Sequence, residues 1–241
     1  MLEIFSNIMV ALFGVVITPF MAGLVDLFCE EKKVTLKNIY AHRKFVPTMA
    51  LITPILLLAL FGRYELSLQF FIYSFLTIIL VMDAFADIKA QIIPNGLNFV
   101  GFLVGIVCIY FTTINDSMAG LDLILGMLAG GGIFMAIAVF SYLFYKREGM
   151  GMGDVKLMAV LGMFFGLRNT VQIFVLSFFI GTIGSLFLMI TRIKKGSEYM
   201  AFGPYIVMSA IITMFFSHQV MVPLWWKFID FLSSILTFSW I

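Results

Sequence analysis

Charge is scarce in this sequence. Only 12% of its 241 residues are Asp, Glu, Lys or Arg, where soluble domains carry about 25%, and that shortage excludes an ordinary water-facing surface. The formal net charge of +2 is too small for nucleic acid to be a partner. Cysteine is rarer still: Cys29 and Cys108 make neither a disulfide framework nor a paired metal motif. No basic stretch follows Met1-Leu2-Glu3, and the apolar run ending at Phe28 is longer than the core of a signal peptide, so it reads as a retained first span. The alternation of a membrane barrel is missing, and so is any internal repeat.

What the chain has in abundance is apolar surface, with 62% hydrophobic residues and a mean hydropathy of +1.10. A membrane-crossing helix needs about 20 apolar residues, and lipid tolerates no unpaired backbone. The fold class is therefore an all-α polytopic membrane protein, with lipids as its surroundings. Apolar runs separated by short polar stretches predict eight spans, near residues 6–28, 46–62, 65–86, 96–114, 120–145, 154–167, 170–191 and 201–217. Beyond them, in 218–241, Lys227, Asp230, Ser234 and Thr237 recur on one helical face behind Trp225 and Trp226. That pattern predicts an amphipathic helix at the outer interface, with a ninth transmembrane helix as the alternative.

Lys and Arg concentrate on the cytoplasmic side of membrane proteins. With the N-terminus outside, the inner stretches hold Lys32, Lys33, Lys37, Arg43, Lys44, Lys89, Lys146, Arg147, Lys156, Arg192, Lys194 and Lys195, leaving Arg63, Arg168 and Lys227 outside. The same arrangement puts Asp87 and Asp154 on one side, the cytoplasmic one. The first inner segment, Glu30 to Lys44 with His42, is too short to bury a core and reads as a solvated basic loop against anionic lipid. Gly126, Gly130, Gly181 and Gly184, at membrane-helix spacing, read as packing seams.

An ionisable residue in or at the edge of a span is a functional candidate. Asp26 and Asp122 lie near predicted ends and can reach the interface. Asp83 and Asp87 are four apart on one helical face, Asp83 deeper and Asp87 at the end, before Ile92-Ile93-Pro94-Asn95-Gly96 turns the chain out of the helix. Asp154 follows the glycines of Gly149-Met150-Gly151-Met152-Gly153 and precedes Lys156. Glycine there lets a substrate backbone come close. The apolar run from Val155 to Leu167 falls short of a ~30 Å hydrocarbon core, so its helix starts recessed or lies where the bilayer thins, and water can reach it from the cytoplasm.

Two carboxylates about 3 Å apart share a proton, one accepting from water while the other donates to a carbonyl. Asp154 sits at a helix N-terminus near Lys156 and Asp87 at a helix C-terminus, so the dipoles favour Asp154 as the base and Asp87 as the acid. A transporter relaying protons through Asp83, Asp87 and Asp154 is the reading from another class.

Gly151-Met152-Gly153-Asp154-Val155-Lys156 resembles the GxGDxK signature of the prepilin leader peptidases, which are intramembrane aspartyl proteases. Asp87 with Pro94 and Asn95, and Phe202-Gly203-Pro204, resemble two further motifs of that family. The resemblance implies catalysis by Asp87 and Asp154. It implies near-site roles for Gly151, Gly153, Lys156, Pro94, Asn95, Phe202, Gly203 and Pro204; Asp83, one turn from Asp87 on the same face, joins them as a near-site candidate, and with only Cys29 and His42 for ligands no metal is expected. It also implies a multi-pass protein of the inner (plasma) membrane that cuts the leader from type IV pilin-like precursors at the cytoplasmic face. Members often also methylate the new N-terminus with S-adenosylmethionine; proteolysis needs no cofactor. Long members carry two Cys-x-x-Cys pairs that bind zinc in their first cytoplasmic stretch, where this chain has only Cys29. Residues 1–64 then hold two spans and a reduced cytoplasmic loop, 65–217 the protease core, and 218–241 the last helix.

Overall fold

The computed structural model describes residues 2–30, 46–146, 150–191 and 201–216. The basic loop expected over Glu30 to Lys44 lies outside them except for its first residue, and so does the helix expected over 218–241. Every assigned element is a helix: α1 (Leu2–Glu30), α2 (Val46–Tyr64), α3 (Leu68–Ala90), α4 (Asn95–Asn115), α5 (Ser117–Tyr145), α6 (Met152–Ile190) and α7 (Gly203–Phe215). Six of them, α1 to α6, are long and apolar enough to cross a membrane, while α7 is shorter. Many of their large apolar side chains face outward, from Val16 and Phe20 on α1 to Phe111 and Ile114 on α4. In water such faces would aggregate; in lipid they are the solvated side.

Short polar residues start and stop the helices where the hydropathy breaks. Ser67 caps α3 by accepting the Phe70 N–H, and Asp116 caps α5 by accepting from Met118 and Ala119. α3 ends at Gln91, left-handed at φ 54°, whose N–H returns to the Asp87 carbonyl. Pro94 then opens α4, in keeping with a proline's missing donor and fixed φ.

The expected spans 154–167 and 170–191 emerge joined in the single assigned helix α6, with Gly166 non-helical inside it at φ 72° and ψ 175°. That conformation is essentially restricted to glycine. Met158 and Thr170 would lie ~18 Å apart along a continuous helix. Instead a Cβ on Gly130 of α5 would touch both, the Met158 carbonyl and Thr170 Cγ2. The chain therefore reverses at Gly166, and residues 152–165 and 167–190 run antiparallel with no loop between them. Asp122 holds the corner, its Oδ1 accepting the Leu167 N–H at 3.3 Å. Asp122, a residue whose reach to the interface was expected, is exposed and also caps a helix.

α5 lies in the cleft of this hairpin. Its Gly126 meets Gly162 and Gly166 backbone, and its Phe134 packs on Phe174 with ring centroids 5.7 Å apart. The main core forms where residues 152–165 meet α3 and α7, around Leu76, Leu80, Leu157, Leu161, Ile206 and Val207. A second cluster, including Met21, Met49 and Met82, joins α1 and α2 to α3. α7 runs antiparallel along α3: Gly203 meets Asp87 at one end, and Thr77 donates to Met214 Sδ at 3.6 Å near the other.

Candidate active site

Leu76, Leu80, Asp83 and Asp87 follow one another down the buried face of α3 at helical spacing. The lower two are fully apolar neighbours in the core, and the upper two put carboxyls on the same stripe. Asp83 is fully buried, and neither carboxyl oxygen has a hydrogen-bond partner among the described residues. Asp87 lies in the last turn and is 4% exposed. Its Oδ2 accepts the Gly203 N–H at 2.8 Å, a donor that is free because it belongs to the first turn of α7.

Asp154 reaches the same place from the other side. Gly151 ends the turn and α6 begins at Met152, which puts Asp154 in the first helical turn, 5% exposed. Gly153 lets that turn sit close on the α3–α4 connection: a Cβ there would come within 2.9 Å of Ile93 Cβ. Lys156 Nζ donates to Asn95 Oδ1 at 2.7 Å and ties α6 to the first residue of α4.

These elements enclose a cavity of about 270 Å³ lined by both aspartates together with Gln91, Ile93, Asn95, Gly151, Gly153 and Lys156. Of the residues singled out in the sequence, Asp87, Asp154, Gly151, Gly153, Asn95 and Lys156 meet there, and Gly203 touches Asp87. Asp83 does not line the cavity. Pro94 is buried at the head of α4, while Phe202 packs behind the site on Phe134, Phe178 and Gly181. Pro204 lies in the first turn of α7. Gln91 and Ile93 were not anticipated as site residues, although Ile93 belongs to the turn signal around Pro94. Asn98 was missed too; a polar residue inside an apolar span was the available signal.

Two buried carboxyls on one cavity can activate a water and protonate the group it attacks. The groove beside this cavity, which shares Asn95 and Lys156 with it, shows no built site for S-adenosylmethionine among the described residues. Its walls carry amides and phenyl rings but no carboxylate for ribose hydroxyls, so no methyl-transfer step is derived. Gly203 is the tightest constraint on the pair, because a Cβ there would lie 2.7 Å from Asp87 Oδ2. Gly203→Ala is expected to displace Asp87 and lower turnover by about a hundredfold with little change in secondary structure by circular dichroism. Unchanged turnover would mean that the amide contact is dispensable.

The fold and cavity define a class: polytopic helical membrane proteins with a buried aspartate pair. Residues 70–186 match the model of the type IV leader peptidase family. The chain is 27% identical over 145 residues, 60% of its length, to the prepilin leader peptidase/N-methyltransferase of Aeromonas salmonicida, covering 49% of that protein. It is 27% identical over 178 residues to the protein of the same name from Xanthomonas campestris pv. campestris, 72% of this chain and 60% of the relative. For the Bacillus subtilis protein of that name the figures are 29% over 177 residues, 72% and 67%. The chain spans about half the length of the first of these relatives. No solved structure matches it.

Proposed function

We propose that this chain is an intramembrane aspartyl endopeptidase that removes the leader peptide from type IV prepilin-like precursors at the cytoplasmic face of the plasma membrane. The observation that carries the proposal is the single cavity on which Asp87 of α3 and Asp154 of α6 converge. The family match over residues 70–186 supports the same chemistry. Asp154 takes a proton from the attacking water and Asp87 protonates the carbonyl oxygen, after which the proton on Asp154 passes to the leaving amine. Because Asp87 Oδ2 accepts from Gly203, the proton that Asp87 donates is carried on Oδ1.

The reversal at Gly166 supports reading α6 as two crossings, and with α7 as a further one the proposed count is eight with the N-terminus outside. Lys89, Lys146 and Lys156 then share the cytoplasmic side with the cavity. A cysteine introduced at position 150 should react with reagent added from the cytoplasmic side; outward labelling would refute this topology.

The activity is tested by incubating full-length protein in detergent with a pilin-like precursor and sequencing the product by mass spectrometry. A shortened product with one new N-terminus is expected, and an intact precursor would overturn the proposal. In the same spectrum, a product one methyl heavier after addition of S-adenosylmethionine would reveal the second activity named in the relatives. The transporter reading gains nothing from the family match; proton-driven solute uptake without cleavage would be needed to revive it. Asp83→Asn is expected to keep cleaving, since Asp83 lies outside the cavity. A loss as complete as at Asp87 would bring Asp83 into the reaction.

A further inference from the structure

A groove of about 610 Å³ adjoins the aspartate cavity along the flank of α4 and α6. Asn95 and Lys156 belong to both spaces, and beyond them the groove wall runs through Gly96, Asn98, Phe99 and Phe102. Polar groups thus line the end nearest the aspartates and phenyl rings the end deeper in the span. The Lys156–Asn95 pair, 2.7 Å apart, stands between this groove and the cavity of the catalytic pair.

Asn98 is anomalous in this wall. It is only 4% exposed, yet neither its Nδ2 nor its Oδ1 has a partner among the described residues. Buried amides are rarely left unmet at both ends. One planar group offering a donor and an acceptor is the complement of a peptide unit. A membrane-embedded helix has peptide units to spare only where it is unwound, and a peptidase needs its substrate unwound around the bond it cuts.

We propose that the groove seats the apolar, membrane-embedded segment of the precursor whose leader is cut at Asp87 and Asp154, and that the Asn98 amide pairs with the unwound backbone beside the scissile bond. The inference rests on the peptidase reading. The occupant has to lie within the bilayer, because the groove is bounded by spans, and its end lies next to the aspartates, because Asn95 and Lys156 line both spaces. A lipid acyl chain meets the first condition but gives Asn98 nothing to bond.

Two measurements test it on the full-length protein. In the first, photoreactive p-benzoyl-phenylalanine replaces Phe102 in a chain that also carries Asp154→Asn, so that the precursor stays uncut. An adduct mapping to the precursor's apolar segment is expected. In the second, Asn98→Leu should raise KM for the precursor by about tenfold, the worth of one or two hydrogen bonds, with kcat little changed. Its Tm should not fall, because an apolar group replaces an unmet amide. Adducts with lipid alone, while wild type still cleaves, would overturn the groove assignment and leave the peptidase reading standing. A lowered Tm with unchanged KM would make Asn98 structural and overturn its role. No cleavage by wild type would remove the peptidase reading, and this inference with it.

Discussion

Asp154→Asn is expected to reduce precursor cleavage by at least about a thousandfold, and Asp87→Asn to do the same. General acid–base steps contribute roughly 10²–10⁴ each. An asparagine keeps the size of the side chain while removing its ability to carry the proton. The two carboxyls act on one water and one carbonyl, so the double substitution should be hardly worse than either single one. Neither change removes packing: both residues sit at the margin of a cavity, so melting temperature and detergent elution should match wild type. Cleavage is read from the mass-spectrometric product yield at matched protein. Full activity in either variant would sink the two-aspartate mechanism, and additive losses would mean that the residues act in separate steps.

Gly162→Ala is expected to damage the fold itself. A Cβ at this position would run into the Gly126 carbonyl and the Met127 amide. These are backbone atoms, with no rotamer to relieve the clash. α5 and residues 152–165 would have to separate along the seam that also includes Gly126 and Gly130, at a cost on the order of 1–3 kcal/mol. For a chain of this length each kcal/mol lowers Tm by about 2–4 °C, so a fall on the order of 5–10 °C is expected in detergent, with loss of cleavage because Asp154 rides on the displaced segment. An unchanged Tm would show that the helices do not approach this closely. Membrane helices gain little from apolar burial against lipid and depend on such close contact.

Much of the site was legible because charge is rare here. Against an apolar background, Asp87 and Asp154 stand out, and the bias of Lys and Arg puts them on one side. The contact of Gly203 with Asp87 was not legible in detail. Phe202-Gly203-Pro204 could be singled out as shaping the site, but that one backbone N–H meets one carboxyl oxygen depends on how α7 lies along α3. Asn98 escaped because the sequence argument weighed ionisable residues inside spans and passed over neutral amides. The break between 154–167 and 170–191 was visible in Arg168 and Asn169. Its form was not: a reversal at one glycine, capped by Asp122 from another helix, depends on a tertiary contact with no local signature.

The corner at Gly166 also bears on the membrane. Residues 152–165 rise only about 21 Å at ~1.5 Å per residue, while the neighbouring spans are matched to a core of ~30 Å. Tilting would only shorten its reach across the bilayer, and its far end is pinned by Asp122, so the mismatch falls on the lipid beside Asp154. Acyl chain length then becomes a control on the site: thin bilayers relieve the deformation and open the cavity to water, whereas thick ones draw hydrocarbon over it.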